Sequence, residues 1–77
     1  MKETHAVILF HTTNHALRAE KVLGRAGVTC RLVPVPRQLS SDCGLCVRLA
    51  PDAVDVSEGA LREAGVETAG THVVDAS

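Results

Sequence analysis

Two stretches decide the fold: Val28-Thr29-Cys30-Arg31-Leu32-Val33-Pro34-Val35-Pro36 and, after a polar segment, Leu45-Cys46-Val47-Arg48-Leu49-Ala50. Both read as strands, and no helix separates them. In the second, Leu45, Val47 and Leu49 alternate with Cys46 and Arg48, the period of a half-buried strand. In the first, Cys30, Leu32 and Val33 are apolar, but Pro34 and Pro36 lack amide donors. Proline is tolerated at a sheet edge and not at its centre. The first stretch therefore predicts an edge strand over Val28 to Val35, ending near Pro36.

Working outward, each strand is flanked by a helix and then a further strand. His5-Ala6-Val7-Ile8-Leu9-Phe10 is a nearly continuous apolar run, as expected of a central strand buried on both faces. Thr12-Thr13-Asn14 supplies N-cap candidates. Ala16, Ala19, Val22, Leu23 and Ala26 then fall at helical spacing, with Arg18, Glu20, Lys21 and Arg25 mostly outward and Gly27 as the C-terminal cap. On the other side, Pro51-Asp52 opens a second helix with Asp52 as N-cap. It runs to about Ala64, is weakened by Gly59 and is closed by Gly65. Val66 to Val74 predicts a last, weaker strand. Gly-Arg-Ala-Gly-Val at 24–28 echoes Arg-Glu-Ala-Gly-Val at 62–66, two helix exits into strands.

The order β-α-β-β-α-β predicts an α+β fold, a ferredoxin-like sandwich. Right-handed crossovers give a four-stranded antiparallel sheet in the order 4-1-3-2 with two helices on one face. The chain of 77 residues is expected to form one domain over 1–77. A chain of this size buries only about 60–65% of its unfolded surface, so its stability is marginal. The topology has a consequence for chemistry. The start of the third strand lies near the end of the first strand and the start of the first helix. Cys43 is thereby expected to face His11-Thr12-Thr13-Asn14-His15.

Composition narrows the function. The net charge is -1, with no basic patch, and there is one Phe with no Tyr or Trp. A phosphate-binding footprint and a base-stacking surface are both missing, so no nucleic-acid partner is expected. The longest apolar run, Ala6 to Phe10, is far too short to span a bilayer, and no membrane partner is expected. The first residues lack the arrangement of a signal peptide, and a cytoplasmic location is the expectation. Three cysteines, at 30, 43 and 46, argue against a disulfide framework.

Cys43 carries the most chemistry. A thiol is mostly protonated at neutral pH, and helix N-termini, Arg and protonated His favour the thiolate. The expected fold supplies the first helix N-terminus, Arg37 on the same loop, and His11 and His15 beside the helix start. Ser40 and Ser41 add hydroxyls and amides suited to an anion, whereas Asp42 opposes it. Gly44 allows a sharp turn or a close approach of the backbone to a ligand. Against this stands a plain alternative, a solvated turn containing a half-buried cysteine. Cys43-Gly44-Leu45-Cys46 is also a CxxC, which can form an internal disulfide with Cys46 as resolving thiol, or share a metal ion. No second CxxC accompanies it, and the second cysteine enters a strand rather than a helix. No metal site is expected, and Cys46 also reads as a strand residue without chemistry. Cys30 reads as a small core residue.

Two groups of residues form a recurring pattern: Phe10-His11-Thr12-Thr13, Ala16-Leu17 and Ala19-Glu20-Lys21, and more heavily Val33-Pro34-Val35-Pro36-Arg37-Gln38-Leu39-Ser40-Ser41-Asp42-Cys43-Gly44-Leu45, whose Pro-Arg pair, Ser pair and Cys-Gly are the specific part. On these, over roughly Ala6 to Val74, the chain resembles the selenium/sulfur carrier protein-like family of small bacterial and archaeal domains. The resemblance implies that Cys43 carries sulfur or selenium as a persulfide or selenenylsulfide. It implies a loop shaped by Pro36, Arg37, Ser40, Ser41 and Gly44, with Thr12, Thr13, Glu20 and Lys21 in the other recurring segment. Cys46 departs from the apolar residue expected there. Members resemble partners of tRNA-thiolation sulfur carriers. The expected partners are a donor such as a cysteine desulfurase and an acceptor protein, with no cofactor. Such a chain is a carrier rather than a turnover enzyme. Two other readings stay open: a redox or metal-linked module on Cys43 and Cys46, and an interaction domain that docks a partner or a second copy, as a homodimer, through its sheet.

Overall fold

The computed structural model describes residues 3–36, 39 and 44–76. Its elements run β1 (Glu3–Leu9), α1 (Thr13–Arg25), β2 (Cys30–Pro34), β3 (Leu45–Leu49), a 3₁₀ turn (Pro51–Ala53), α2 (Val54–Glu63) and β4 (Gly70–Ala76). The four strands form one antiparallel sheet in the order β2-β3-β1-β4, which is the expected 4-1-3-2. β2 is an edge, as Pro34 requires, and β1 is central. Ala6, Val7, Ile8, Leu9 and Phe10 are all buried.

The helices pack on one face. The core there joins Ala6, Ile8 and Phe10 of the β1 segment, Val47 and Leu49 of β3, Ala16, Ala19 and Leu23 of α1, and Leu61 and Val66 of the α2 segment. Small residues at 16 and 19 let α1 lie close to the sheet. Leu45, Val47 and Leu49 face this core and Cys46 and Arg48 face away, as their alternation predicts.

Both helices end in the same device. Gly27 and Gly65 have φ of +80° and +72°. After α1, Val28 N–H donates to Leu23 O (2.9 Å) and Gly27 N–H to Gly24 O (3.2 Å). After α2, Val66 N–H donates to Leu61 O (2.9 Å) and Gly65 N–H to Arg62 O (3.1 Å). These are paired Schellman caps, in which the residue after the left-handed glycine turns back onto the helix. The echo between 24–28 and 62–66 is this cap written twice. The Arg18 guanidinium donates to Ala64 O (3.2 Å), placing a cation on the negative end of α2.

Three expectations need correction. β2 begins at Cys30 rather than Val28, and β4 at Gly70 rather than Val66. The cause is the cap: Val28 and Val66 are apolar because they pack against the helix they follow. Asp52 is not an N-cap. It lies inside the 3₁₀ turn, which closes through Ala53 N–H to Ala50 O (3.0 Å), and neither that turn nor α2 has a side-chain cap.

The helix-free face is the other finding. Val7, Leu9 and Cys46 are buried there, with Val33, Val35, Leu39 and Val74 packed against them. Val35 and Leu39 belong to the β2–β3 connection. These two residues cover part of that face. No described helix is long and apolar enough to cross a membrane.

Candidate functional site

The site is framed by one end of the sheet. The last Cα pair between β1 and β3 is Leu9 with Cys46. Beyond it β1 continues through Phe10, His11 and Thr12 into α1, while β3 is preceded by Gly44. Gly44 and the start of α1 thus share that end.

Thr12 caps α1. Its backbone is extended (φ -140°, ψ 158°), and its Oγ1 accepts from His15 N–H at 3.2 Å. His15 Nδ1 lies 3.0 Å from the same oxygen. A hydroxyl has one donor and two acceptor sites, so it can donate to a neutral Nδ1 or accept from a protonated one. The contact survives either charge state of the ring. His11, Thr12 and Thr13 are exposed, and His15 is half-buried. The first turn of α1 holds no acidic residue. The partial positive charge of the helix N-terminus, about half an elementary charge, is therefore not neutralised by the helix itself.

Gly44 O accepts from Val35 N–H at 3.1 Å, joining the two ends of the β2–β3 connection, and Leu39 N–H donates to Pro36 O at 3.0 Å. Gly44 is not in the left-handed region. A Cβ built on it meets nothing within 4 Å. Gly44 lies at a bend, and neither a left-handed φ nor a crowded described neighbour requires glycine there. Arg37, Ser40, Ser41 and Cys43, like Gln38 and Asp42, lie outside the described residues.

Cys46 is fully buried on the helix-free face, and its thiol donates to Pro34 O at 3.9 Å. Sequence reasoning missed its cover. The only signals were the apolar Val35 and Leu39 beside an otherwise polar stretch. Cys30 is half-buried against the main core, as expected. Burial, with the Glu20 carboxylate second, pushes its thiol above the ordinary value, so it stays protonated at neutral pH. Among the described residues no three His, Cys, Asp or Glu side chains are grouped to hold a metal ion.

The fold is a small α+β sandwich in which Gly44 and the N-terminus of α1 share one end of the sheet. The sequence matches the family described as "Putative Se/S carrier protein-like" over residues 5–73, and the chain belongs to that family. It is also 42% identical over 43 residues to "Uncharacterized protein YtiA" of Escherichia coli (strain K12), covering 56% of this chain and 51% of that protein. The chain thus spans about half the length of that curated relative. No solved structure matches it.

Proposed function

We propose that the chain is a one-thiol carrier that holds sulfur, or selenium, on Cys43. One observation carries this: Gly44, the residue after Cys43, shares an end of the sheet with a helix N-terminus that has no acidic residue in its first turn. Family membership supports it. In loading, the Cys43 thiolate attacks the outer sulfur of a donor persulfide. The new S–S bond forms as the donor S–S bond breaks, and the electron pair leaves with the donor thiolate. No external oxidant is needed. An acceptor thiolate then attacks the outer sulfur of the Cys43 persulfide and returns Cys43 as the thiolate. α1, Arg37 and the loop amides favour the anion in both steps.

The full burial of Cys46 supports a one-thiol carrier over a two-thiol redox module. A resolving role for Cys46 requires Val35 and Leu39 to lift first. The test is mass spectrometry of the intact chain after exposure to a cysteine desulfurase and cysteine. One added sulfur, removed by a reductant, absent from Cys43→Ser and retained by Cys46→Ala, is expected. No addition to wild type, or equal addition to Cys43→Ser, overturns the proposal.

A further inference from the structure

The uncovered part of the helix-free face carries two arginines directly opposite each other. Arg31 of β2 is the Cα partner of Arg48 of β3. Arg48 is the partner of Val7 on β1, and Val7 of His72 on β4. Strand alternation puts Arg31, Arg48 and His72 on the same face as Val33, Cys46 and Val74. Arg31, Arg48 and His72 are exposed. A concavity of about 290 Å³ opens beside them, with Arg31, Arg48, His5 and Thr29 in its lining.

Like charges directly opposed on neighbouring strands are unfavourable. Neither guanidinium has a hydrogen bond or ion pair to a described residue. Within strand residues 4–9, 30–34, 45–49 and 70–74 no acid shares that face, and Glu3 holds the remaining β1 position of the same alternation; Glu20, Asp55, Glu58 and Glu63 belong to the helices on the other side. A chain of net charge -1 therefore gathers Arg31, Arg48 and His72 on one exposed face. Half-buried Val33, two residues along β2 from Arg31, and buried Val7, paired with Arg48, put apolar surface next to the two arginines, an arrangement suited to a protein interface, where arginine is enriched around an apolar centre. A nucleic acid fits less well, because the one aromatic residue, Phe10, is buried in the opposite core.

We propose that the Arg31–Arg48 pair is the docking surface for a carboxylate-rich segment of a partner protein. The surface lies at the other end of β3 from Gly44, so a partner can grip the sheet there and leave the Cys43 loop free. Its charge complementarity orients the encounter and makes it salt-sensitive.

The test is an NMR titration of the full-length, ¹⁵N-labelled chain with an octaglutamate peptide, with inorganic phosphate and an oligouridylate at matched ionic strength. Sedimentation of the chain alone accompanies it. The peptide is expected to shift the amides of Arg31, Arg48 and His72 and not those of α2. In the Arg31→Gln/Arg48→Gln variant the apparent affinity should fall at least about tenfold, the loss of 1.4 kcal/mol or more. The Tm of that variant should equal or exceed wild type, because a repulsion has been removed. Absent peptide shifts, shifts that persist in the variant, a lowered Tm, or tighter binding of phosphate or oligouridylate each overturn the proposal. Self-association that the double substitution abolishes also overturns it, by assigning the face to a second copy.

Discussion

Leu39→Ala should expose Cys46 without loosening the helix-side core. Leu39 is half-buried against the cluster of Val7, Leu9 and Cys46, and the substitution removes three carbons. At about 0.8 kcal/mol per fully buried carbon, half burial gives a loss of about 1–1.5 kcal/mol. If the β2–β3 connection opens locally and recloses faster than a reagent reacts, that loss enters the opening equilibrium directly. Alkylation of Cys46 should then accelerate about 5–15-fold. The assay is a time course of iodoacetamide labelling, with all three cysteines read by peptide mass spectrometry. Val66→Ala is the control. Val66 is buried in the helix-side core, and losing two carbons there costs a comparable ~1.5 kcal/mol. Local opening predicts that Val66→Ala leaves the Cys46 rate unchanged. Equal acceleration by both variants means that Cys46 is reached only through global unfolding, and no effect of Leu39→Ala means that Leu39 does not cover it. Either result refutes the account of the helix-free face.

Three further outcomes follow from particular residues. Ser57 is fully buried and its Oγ has no hydrogen-bond partner among the described residues, so Ser57→Ala should stabilise the chain by about 1 kcal/mol. Thermal unfolding should show this as a Tm several degrees higher. Gly44→Ala should raise stability by about 0.4–1 kcal/mol, since a Cβ fits and the unfolded chain loses freedom. The same variant should accept sulfur from a desulfurase more slowly, and unchanged loading would remove the role given to Gly44. Burial raises the Cys30 thiol, so its contribution to stability is complete below the ordinary thiol pKa of about 8.5 and is lost as pH rises through the folded value. Denaturant unfolding across alkaline pH should lose stability more steeply in wild type than in Cys30→Ala.

Much of the fold was legible because local signals agreed with each other. Pro34 and Pro36 marked the edge, alternation from Leu45 to Leu49 separated the two faces, and two adjacent strands without a helix between them left one topology. Element starts were less legible where one apolar residue serves two purposes. Val28 and Val66 look like strand residues but are consumed by the Schellman caps. The cover on Cys46 was not legible, because burial there comes from loop residues distant in sequence from Val7 and Leu9. The Arg31–Arg48 pair needed the register between strands, which no spacing within either strand reveals. At the candidate site the Thr12 cap and the shared end of the sheet were readable, and Arg37, Ser40, Ser41 and Cys43 lie outside the described residues.

The most direct test of the working thiol is the pH dependence of alkylation at each cysteine of the native chain. Cys43 should reach its maximal rate at a lower pH than Cys30, whose thiol is raised by burial, while Cys46 should stay protected throughout. Asn14→Asp, which puts a carboxylate in the first turn of α1, should move the Cys43 profile to higher pH and leave Cys30 in place. A Cys43 profile at or above that of Cys30, unmoved by Asn14→Asp, would contradict an activated thiol at this site.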